Sequence, residues 1–239
     1  MKGIILTGGT GSRLQPLTKV TNKCLLPVGA KPLICHCIDI LTTSGIEDIM
    51  LVTGPEHMGQ VISLLGSGSD YGCQLTYRVQ DKADGIAAAL KLCKNFIGDD
   101  KFVVLLGDNV FEDKLELACE IRKFSVSQDK YKLFTKRVPD PQRFGVAVYE
   151  EKKLVDIIEK PKIPPSDQAI IGTYCYTSEV FDVINKLKPS NRGEYEISDV
   201  NSYVVKNSFG THYELKGGWV DAGTHESYRK ANKMMWSVE

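Results

Sequence analysis

The sequence lacks several patterns that would assign its class at once. None of its seven cysteines stands in a Cys-x-x-Cys pair, which excludes a zinc ribbon and a thioredoxin-like motif. No stretch approaches the roughly 18 consecutive apolar residues of a membrane helix. Glycine and proline, 21 and 10 of the 239 residues, are too few for a collagen-like or low-complexity chain. These absences favour an ordinary globular protein.

The charge has no excess of either sign, since 30 basic residues stand against 30 acidic ones. A protein that binds nucleic acid or a membrane surface through its overall charge would be basic. We therefore expect no nucleic-acid partner and no membrane partner. Small anionic ligands remain open, because they need only a local cluster of cations.

The N-terminus and the cysteines point to the inside of the cell. The apolar run Gly3–Leu6 is far shorter than the apolar region of a secretory signal peptide. Cys35 and Cys37 flank His36, but successive helical residues point in different directions, which disfavours a metal site. Reduced core cysteines are the preferred interpretation for Cys35, Cys37, Cys93, Cys119 and Cys175. The sequence thus predicts a cytoplasmic protein.

Short apolar runs alternate with helical segments in the first half of the chain. Strands are predicted over 2–7, 48–53, 74–79 and 101–106, and helices over 32–44, 56–65, 86–96 and 114–124. This alternation is typical of a parallel sheet with helices on both faces.

The second half is richer in strands, which follow one another more closely. Strands are predicted over 131–135, 144–149, 154–158, 169–176 and 212–215, and helices over 179–187, over 198–205 and from residue 225. No linker or repeat divides the chain. We therefore predict one α/β domain over residues 1–239 with a β-rich second half.

A glycine-rich loop follows the first predicted strand. It reads Gly8-Gly9-Thr10-Gly11-Ser12-Arg13, and its glycines free backbone N–H groups to curl around an anion. Arg13 adds a fixed positive fork for phosphate, and Lys23 is a second nearby cation. Neither a Walker A loop nor a dinucleotide fingerprint is present. A structural tight turn is the alternative, but the two cations favour phosphate binding.

Two aspartates each end a short apolar run and precede a segment with a helical pattern. Asp108 follows the run 101–106, and Asp221 follows Trp219 and Val220. If both runs are parallel neighbours in the sheet, their ends face one crevice, where ligands of α/β sheets bind. Two carboxylates beside a phosphate loop suit Mg²⁺, which completes its shell with water and substrate phosphates. A helix cap or turn is the alternative for Asp108.

Two further cations stand in the second half. Lys160 closes a predicted strand in Glu159-Lys160-Pro161, and Arg192 opens Arg192-Gly193-Glu194. Taken alone, each fits a solvated surface charge.

These pieces, in this order, resemble the glucose-1-phosphate thymidylyltransferase family of sugar-nucleotide pyrophosphorylases, in a short form. The matching segments are GGTGSRLQPLT, Lys23-Cys24-Leu25-Leu26-Pro27-Val28, VQDKADGIAAAL, LLGDN, DPQRFGVAVY, IEKPK, the stretch around Gly172-Thr173-Tyr174, RGEYEISDVN and GWVDAGTHES. The resemblance covers essentially the whole chain. Each motif alone is shared with uridylyl-, guanylyl- or adenylyltransferases.

The resemblance implies a fold and a reaction. The fold is a Rossmann-like, mostly parallel sheet flanked by helices, with a nucleotide-binding core over about residues 1–125 and a sugar-binding part over about 126–239. In the reaction, a phosphate oxygen of a sugar 1-phosphate attacks the α-phosphorus of dTTP or UTP, and pyrophosphate leaves in line. Magnesium is the implied cofactor. Small-molecule substrates and other copies of the same chain, in a homo-oligomer, are the implied partners.

The resemblance also assigns roles to residues. The Gly8–Arg13 loop and Lys23 would hold the triphosphate, and Lys160 and Arg192 would grip the sugar phosphate. The metal ligands would be Asp108 and Asp221, and the pyrimidine would be read by Gln80 and Gly85. The sugar pocket would be lined by Asn109, Gly145, Glu159, Gly172 and Tyr174.

Four positions depart from the family pattern and leave the sugar open. Phe144 stands in place of Tyr, Ile171 in place of Thr, Tyr195 in place of Leu and Ser198 in place of Thr. Uridylyl transfer and another hexose 1-phosphate therefore remain alternatives. An inactive regulatory homologue is a further one, but it should lack some of the charged residues kept here: Arg13, Lys23, Asp108, Lys160 and Asp221. An unrelated nucleotide-binding oxidoreductase is disfavoured by the missing fingerprint.

Overall fold

A nine-stranded sheet forms the centre of the molecule, and the computed structural model describes residues 1–237. The strands are β1 (Lys2–Leu6), β2 (Pro27–Val28), β3 (Lys31–Pro32), β4 (Asp48–Thr53), β5 (Gln74–Val79), β6 (Phe102–Leu106), β7 (Asn109–Phe111), β8 (Tyr131–Arg137), β9 (Gly145–Glu150), β10 (Lys153–Glu159), β11 (Gln168–Tyr176), β12 (Gly210–Glu214) and β13 (Trp219–Asp221). The helices are α1 (Leu33–Thr43), α2 (Met58–Leu65), α3 (Ile86–Lys91), α4 (Lys94–Ile97), α5 (Lys114–Val126), α6 (Val180–Ile184), α7 (Ile197–Asn207) and α8 (His225–Trp236).

The first half contributes a parallel sheet in the order β5–β4–β1–β6. Its central strands are continuous apolar runs because both of their faces are covered. Ile4 and Val104 pack into one core, whereas their neighbours Ile5 and Val103 pack into a second core on the opposite face. The predicted parallel sheet with helices on both faces is therefore confirmed.

The second half extends this sheet with antiparallel strands. β11 pairs with β6, β8 and β9, and β9 pairs with β10, all antiparallel. β12 then runs parallel to β8. The mixed, mostly parallel sheet and the β-rich second half match the predicted fold class.

The expectation that Asp108 and Asp221 end parallel neighbouring strands is wrong. Asp221 lies in β13, which pairs antiparallel with β7 in a separate two-stranded sheet, opposite Asn109. The backbone N–H of Ala222 also donates to the carbonyl of Asp108 at 2.8 Å. A short ribbon across the end of β6, and not the main sheet, therefore brings the two aspartates together.

Several helix boundaries differ from the prediction. The segment predicted as one helix over 86–96 is split into α3 and α4, because the N–H of Cys93 bonds the carbonyl of Leu90, three residues back. α2 begins only at Met58, since residues 55–57 form a 3₁₀ turn that starts at Pro55. Cys119 was expected in the core but is exposed on α5, whereas the other six cysteines are buried. No helix within residues 1–237 is long and apolar enough to cross a membrane.

Candidate active site

The glycine loop leaves the carboxyl end of β1 and lies beside the end of β6. Leu6 pairs with Leu106 in the parallel ladder, and the N–H of Gly107 donates to the carbonyl of Leu6 at 2.9 Å. A Cβ on Gly9 would lie 3.1 Å from Nζ of Lys23, so glycine here lets the lysine reach across the loop. The backbone N–H groups and the lysine therefore share one small space.

Asn22, the residue before Lys23, fixes the position of this lysine. The side chain of buried Asn22 donates to the carbonyl of Thr7 at 2.9 Å and accepts from the N–H of Cys24 at 2.8 Å. These two bonds fasten the short turn at residues 23–25 to the end of β1. Lys23 then donates a hydrogen bond from Nζ to Oδ2 of Asp108.

Lys23 and Asp108 form a buried ion pair. Burial alone would lower the pKa of Lys23, but the charge of Asp108, its hydrogen bond and the smaller effects of Cys24 and Asp221 together leave that pKa above its ordinary value. Burial alone would raise the pKa of Asp108, but the charge and hydrogen bond of Lys23, together with hydrogen bonds from Asn109 and the backbone, hold that pKa below its ordinary value. Both groups are therefore charged at neutral pH.

Asp221 lies in the same electrostatic field and behaves differently. Burial, and then the charge of Asp108, raise its pKa to about 6, although Lys23, the N–H of Gly223 and Arg13 act in the opposite direction. The N–H of Gly223 donates to Oδ1 of Asp221 at 2.9 Å. Asp221 resists ionisation because the ionised Asp108 lies nearby. A bound cation would stabilise the ionised form of both carboxylates.

Asn109 connects Asp108 to the second half of the chain. Its Nδ2 donates to Oδ1 of Asp108 at 3.0 Å. Its Oδ1 accepts from Nε1 of Trp219 at 2.7 Å and from the N–H of Gly172 at 3.2 Å. Asn109 is only 2% exposed, so its amide is held by these three partners. Predicted as a sugar ligand, it also orients the carboxylate of Asp108.

Two adjoining cavities meet at this point. The first, about 380 Å³, contains most of the residues predicted to bind nucleotide or metal. Its lining includes Gly8, Gly9, Thr10, Arg13, Lys23, Gln80, Gly85 and Asp108. Gly11 and Ser12 belong to the same loop, but they do not line this cavity.

The amide of Gln80 is fixed in one orientation. Its Nε2 donates to Oδ1 of Asp84 at 2.9 Å and to the carbonyl of Gly85 at 3.3 Å. Its Oε1 lies 2.8 Å from the position that a Cβ on Gly8 would occupy. Gln80 therefore presents a hydrogen-bond acceptor beside the glycine loop.

The second cavity, about 170 Å³, contains every residue predicted to bind the sugar. Those residues are Asn109, Gly145, Glu159, Lys160, Gly172, Tyr174 and Arg192, and Asp221 lines the same cavity. Ile86, Leu106 and Glu194 line both cavities, so the two form one continuous cleft. The structure thus brings together residues more than 200 positions apart in the chain.

Glu159 is the centre of a charged cluster in this second cavity. Its Oε1 lies 3.2 Å from Nζ of Lys160 and 3.1 Å from Nη2 of Arg192. Its Oε2 accepts a hydrogen bond from Ser198. Arg192 also forms a paired contact with Glu196, from Nη2 to each carboxylate oxygen at 2.8 Å. Both cations are therefore held at the cleft by carboxylates.

Three of the four positions that depart from the family pattern lie at or beside this cavity. Phe144 lines it and packs edge-on against Trp219, with 5.4 Å between ring centroids. Ser198 also lines this cavity, and its hydroxyl donates a hydrogen bond to Glu159. The backbone of Tyr195 packs against Gly85, next to the cleft. Ile171, a residue of β11, is instead fully buried in the core.

Sequence reasoning did not find several residues of the site. Arg143 and Trp219 line the sugar cavity, Glu196 holds Arg192, and Asn22 fixes Lys23. An asparagine just before a turn was a capping signal that could have identified Asn22. For Trp219 the signal was the pairing of β13 with β7, which joins three residues to three residues more than 100 positions away and is too short to recognise in the sequence.

Asp108 and Asp221 fit a divalent cation that is shared with a substrate. Within residues 1–237 no group of three or more His, Cys, Asp or Glu side chains forms a complete metal cage. Mg²⁺ does not need one, because it takes one or two carboxylates and fills its shell with water and phosphate oxygens. The raised pKa of Asp221 agrees with a position that a cation would neutralise.

Known proteins are similar to this chain over its whole length. A glucose-1-phosphate thymidylyltransferase of Neisseria meningitidis is 40% identical over 100% of this chain and 84% of its own length. A solved structure from Bacillus anthracis, assigned as a glucose-1-phosphate thymidylyltransferase and complexed with sucrose, is 52% identical with a TM-score of 0.93, over 98% of this chain and 95% of that one.

A UDP-glucose pyrophosphorylase complexed with UDP-glucose has the same fold. It is 24% identical with a TM-score of 0.87, over 100% of this chain and 99% of its own. The sequence profile described as nucleotidyl transferase matches residues 2–237. With that match over nearly its whole length, this chain belongs to the nucleotidyl transferase family and is an enzyme of that class.

Proposed function

We propose that this enzyme transfers a nucleotidyl group from dTTP, or from UTP, to a hexose 1-phosphate, with glucose 1-phosphate as the first candidate. The observation that carries the proposal is the continuous cleft. One of its cavities contains the glycine loop with Arg13 and Lys23, and the other contains Lys160 and Arg192 beside polar groups. Relatives that match the whole chain are named for this reaction.

The chemistry is a single displacement at phosphorus. A phosphate oxygen of the sugar 1-phosphate forms a bond to the α-phosphorus, and the bond from that phosphorus to the bridging oxygen of pyrophosphate breaks. Lys160 and Arg192 orient the attacking phosphate and reduce its repulsion from the triphosphate. Arg13, Lys23 and the N–H groups of the loop stabilise the charge that develops on the leaving pyrophosphate.

No side chain is required as a nucleophile. Cys24 follows Lys23 directly, but burial raises the pKa of its thiol to about 12, so it is not a thiolate at neutral pH. A single displacement predicts inversion at the α-phosphorus. With a chiral α-thio analogue of dTTP, inverted product supports this mechanism, and retained configuration would indicate a covalent nucleotidyl-enzyme.

The base is read by the fixed amide of Gln80. Oε1 of Gln80 is an acceptor, which matches the imide N–H of thymine or uracil. Cytosine has a hydrogen-bond acceptor at the same ring position. Its lone pair would face a lone pair of Oε1, with no proton between the two atoms. This mismatch disfavours CTP, because a buried polar group would be left unpaired.

Asp108 and Asp221 are the residues that would hold Mg²⁺. The ion, when bound, supplies positive charge that neutralises the phosphate oxygens of the triphosphate. Asn109 and Gly223 then orient the two carboxylates through their hydrogen bonds. Lys23, which pairs with Asp108 and lines the same cavity, would add a second positive charge toward those phosphates.

The test is product formation by the purified protein. With dTTP, glucose 1-phosphate and Mg²⁺ we expect dTDP-glucose and pyrophosphate in equal amounts, and no pyrophosphate when the sugar phosphate is omitted. Arg13→Ala should lose this activity, whereas Arg122→Ala, at an exposed arginine of α5, should keep it. Pyrophosphate release without sugar phosphate would contradict the proposal and indicate hydrolysis of the triphosphate.

Self-association is a further part of the proposal. The family resemblance implies a homo-oligomer, and Val126 and Phe209 are two large apolar side chains that are 84% and 70% exposed. A homo-oligomer would cover such residues. Sedimentation velocity should give a mass at least twice that of the 26.5 kDa chain, and a monomer at micromolar concentration would contradict this expectation.

A further inference from the structure

A carboxylate outside the cleft holds the loop that leads into β13. Glu116 lies in the first turn of α5 and lines neither cavity of the cleft. Its Oε1 accepts from the backbone N–H of Lys216, and its Oε2 accepts from that of Gly217, both at 2.8 Å. The hydroxyl of Tyr213 also donates to Oε1 at 3.0 Å. Both oxygens of one side chain are therefore bound to the segment just before β13.

A glycine and a lysine complete the attachment of this loop. A Cβ on Gly217 would lie 3.1 Å from Oε2 of Glu116, so glycine allows the close approach of the carboxylate. From β8, Nζ of Lys136 donates to the carbonyls of Leu215 and Lys216 at 3.0 and 2.9 Å. The N–H groups of the loop thus bind an anion and its carbonyls bind a cation. These opposite charges fix the orientation of its peptide groups.

The ribbon of β7 and β13 depends on such attachments because it is small. The two strands pair over only three residues each, outside the main sheet, and a two-stranded ribbon is marginally stable by itself in water. At the end that lines the cleft, Asp221 lies opposite Asn109. At the other end, the N–H of Glu112 donates to the carbonyl of Gly218 at 2.9 Å. Glu116 therefore holds one end of the ribbon whose other end carries Asp221.

We propose that Glu116 is a positioning residue for the metal site: by holding the loop 216–218 it fixes β13 and so keeps Asp221 beside Asp108. The inference rests on the proposed role of Asp221 as a metal ligand. Residues that orient metal ligands typically contribute about tenfold to a hundredfold in metal affinity. We expect the lower end of this range, because three residues separate Gly217 from Asp221.

A second carboxylate on the same helix offers a matched control. Glu120 lies one turn further along α5 and is buried, and it accepts hydrogen bonds from Lys123 and from Lys132 of β8. Within the described part of the chain it makes no hydrogen bond to residues 215–218. Glu120→Gln should therefore lower the stability of the protein without changing its need for metal.

The ribbon is tested by amide hydrogen exchange without metal or nucleotide. The N–H of Ala222, which donates to the carbonyl of Asp108, reports on the end of the ribbon that carries Asp221. Glu116→Gln keeps the shape of the side chain but places an amide donor against one backbone N–H of the loop. We expect exchange at Ala222 to become about tenfold faster relative to the amides of β6, as for the loss of one charge-assisted hydrogen bond. In Glu120→Gln this ratio should not change.

The metal site is tested by the Mg²⁺ concentration that gives half-maximal pyrophosphate release at saturating substrates. Glu116→Gln should raise this concentration about tenfold, with little change in KM for the sugar phosphate, and Glu120→Gln should keep the wild-type value. Gly217→Ala, which places a Cβ 3.1 Å from Oε2 of Glu116, should shift exchange and Mg²⁺ requirement in the same direction, even if Glu116→Gln folds poorly.

The outcomes separate this inference from the proposed function. Unchanged relative exchange at Ala222 in both Glu116→Gln and Gly217→Ala would overturn the inference. Faster exchange with an unchanged Mg²⁺ requirement would overturn it as well, because Glu116 would then contribute only to stability. A wild-type Mg²⁺ requirement in Asp221→Asn would refute the proposed metal site, and with it the role of Glu116 toward the metal.

Discussion

Lys23 donates a hydrogen bond to the carboxylate of Asp108, so a candidate phosphate ligand neutralises a candidate metal ligand. Both side chains are largely buried, with 16% and 11% exposed. The pair keeps two opposite charges in place where neither would be stable alone. Binding of a metal–triphosphate complex offers each of them a new partner of the correct sign.

Replacing one member of this ion pair while the other remains should destabilise the protein. Lys23→Met leaves Asp108 buried without its cation, and we expect the free energy of unfolding to fall by about 3 kcal/mol. Asp108→Asn should have a similar cost, since it leaves Lys23 unpaired. The double variant should recover much of the loss, because no charge remains buried. Urea unfolding of all four proteins measures the coupling, and additive losses would show that the two residues do not interact.

Asp221 should give the enzyme an acidic limit near pH 6. Its pKa is raised to about 6 by burial and by Asp108, so the protonated form, which cannot bind Mg²⁺, accumulates below that pH. Activity at limiting Mg²⁺ should therefore fall as the pH drops through 6. Saturating Mg²⁺ should shift the limit to lower pH, since the ion competes with the proton. A limit that does not move with Mg²⁺ would contradict this assignment.

The same shift has a consequence for stability. Because the folded pKa of Asp221 lies above its ordinary value of 3.8, the folded state holds a proton that the unfolded state has lost between about pH 4 and 6. Stability from this group therefore decreases as the pH rises through that window. Without metal and nucleotide, Asp221→Asn should raise the free energy of unfolding at pH 8 by about 1–3 kcal/mol, while its turnover falls about 100-fold or more.

Trp219 should act on the metal site through Asn109. Trp219→Phe removes the Nε1 donor but keeps an aromatic ring against Phe144. We expect kcat to fall about tenfold, which corresponds to one lost hydrogen bond, and the Mg²⁺ concentration for half-maximal rate to rise. Trp236→Phe, at a 62% exposed tryptophan, is the matched control. An unchanged Mg²⁺ requirement would limit Trp219 to packing.

Lys160 should matter for the sugar phosphate and not for the triphosphate. Lys160→Ala should lower kcat/KM for glucose 1-phosphate about 10²–10³-fold, as expected for one lost transition-state contact, with little change in dTTP binding. Lys162→Ala, two residues further along and exposed, should behave as the wild type. A Lys160 variant within threefold of wild type would mark this lysine as a solvated surface charge.

The sheet could be predicted because its signal is local. Runs such as Ile4–Leu6 and Val103–Leu106 are apolar throughout. A continuous apolar run is typical of a strand that is covered on both faces, because a half-exposed strand would alternate with polar residues. The glycine loop and Asp108 follow directly from those runs, so the nucleotide half of the cleft could be located from the sequence.

The rest of the site depends on contacts between distant segments. β7 and β13 have three residues each, and nothing in either shows that Asp221 lies opposite Asn109. Nη2 of Arg192 lies 3.1 Å from Oε1 of Glu159, which is 33 residues earlier in the chain. Such residues carry no local pattern, and the resemblance to known enzymes supplied their neighbourhood but not their contacts.

The most direct test of the account is a matrix of nucleoside triphosphates against sugar 1-phosphates, with pyrophosphate release measured for every pair. The fixed amide of Gln80 predicts that dTTP or UTP with glucose 1-phosphate gives the fastest turnover, and that CTP is at least about tenfold slower. CTP as the best donor would contradict the assignment of the base site, and no release from any pair would contradict nucleotidyl transfer itself.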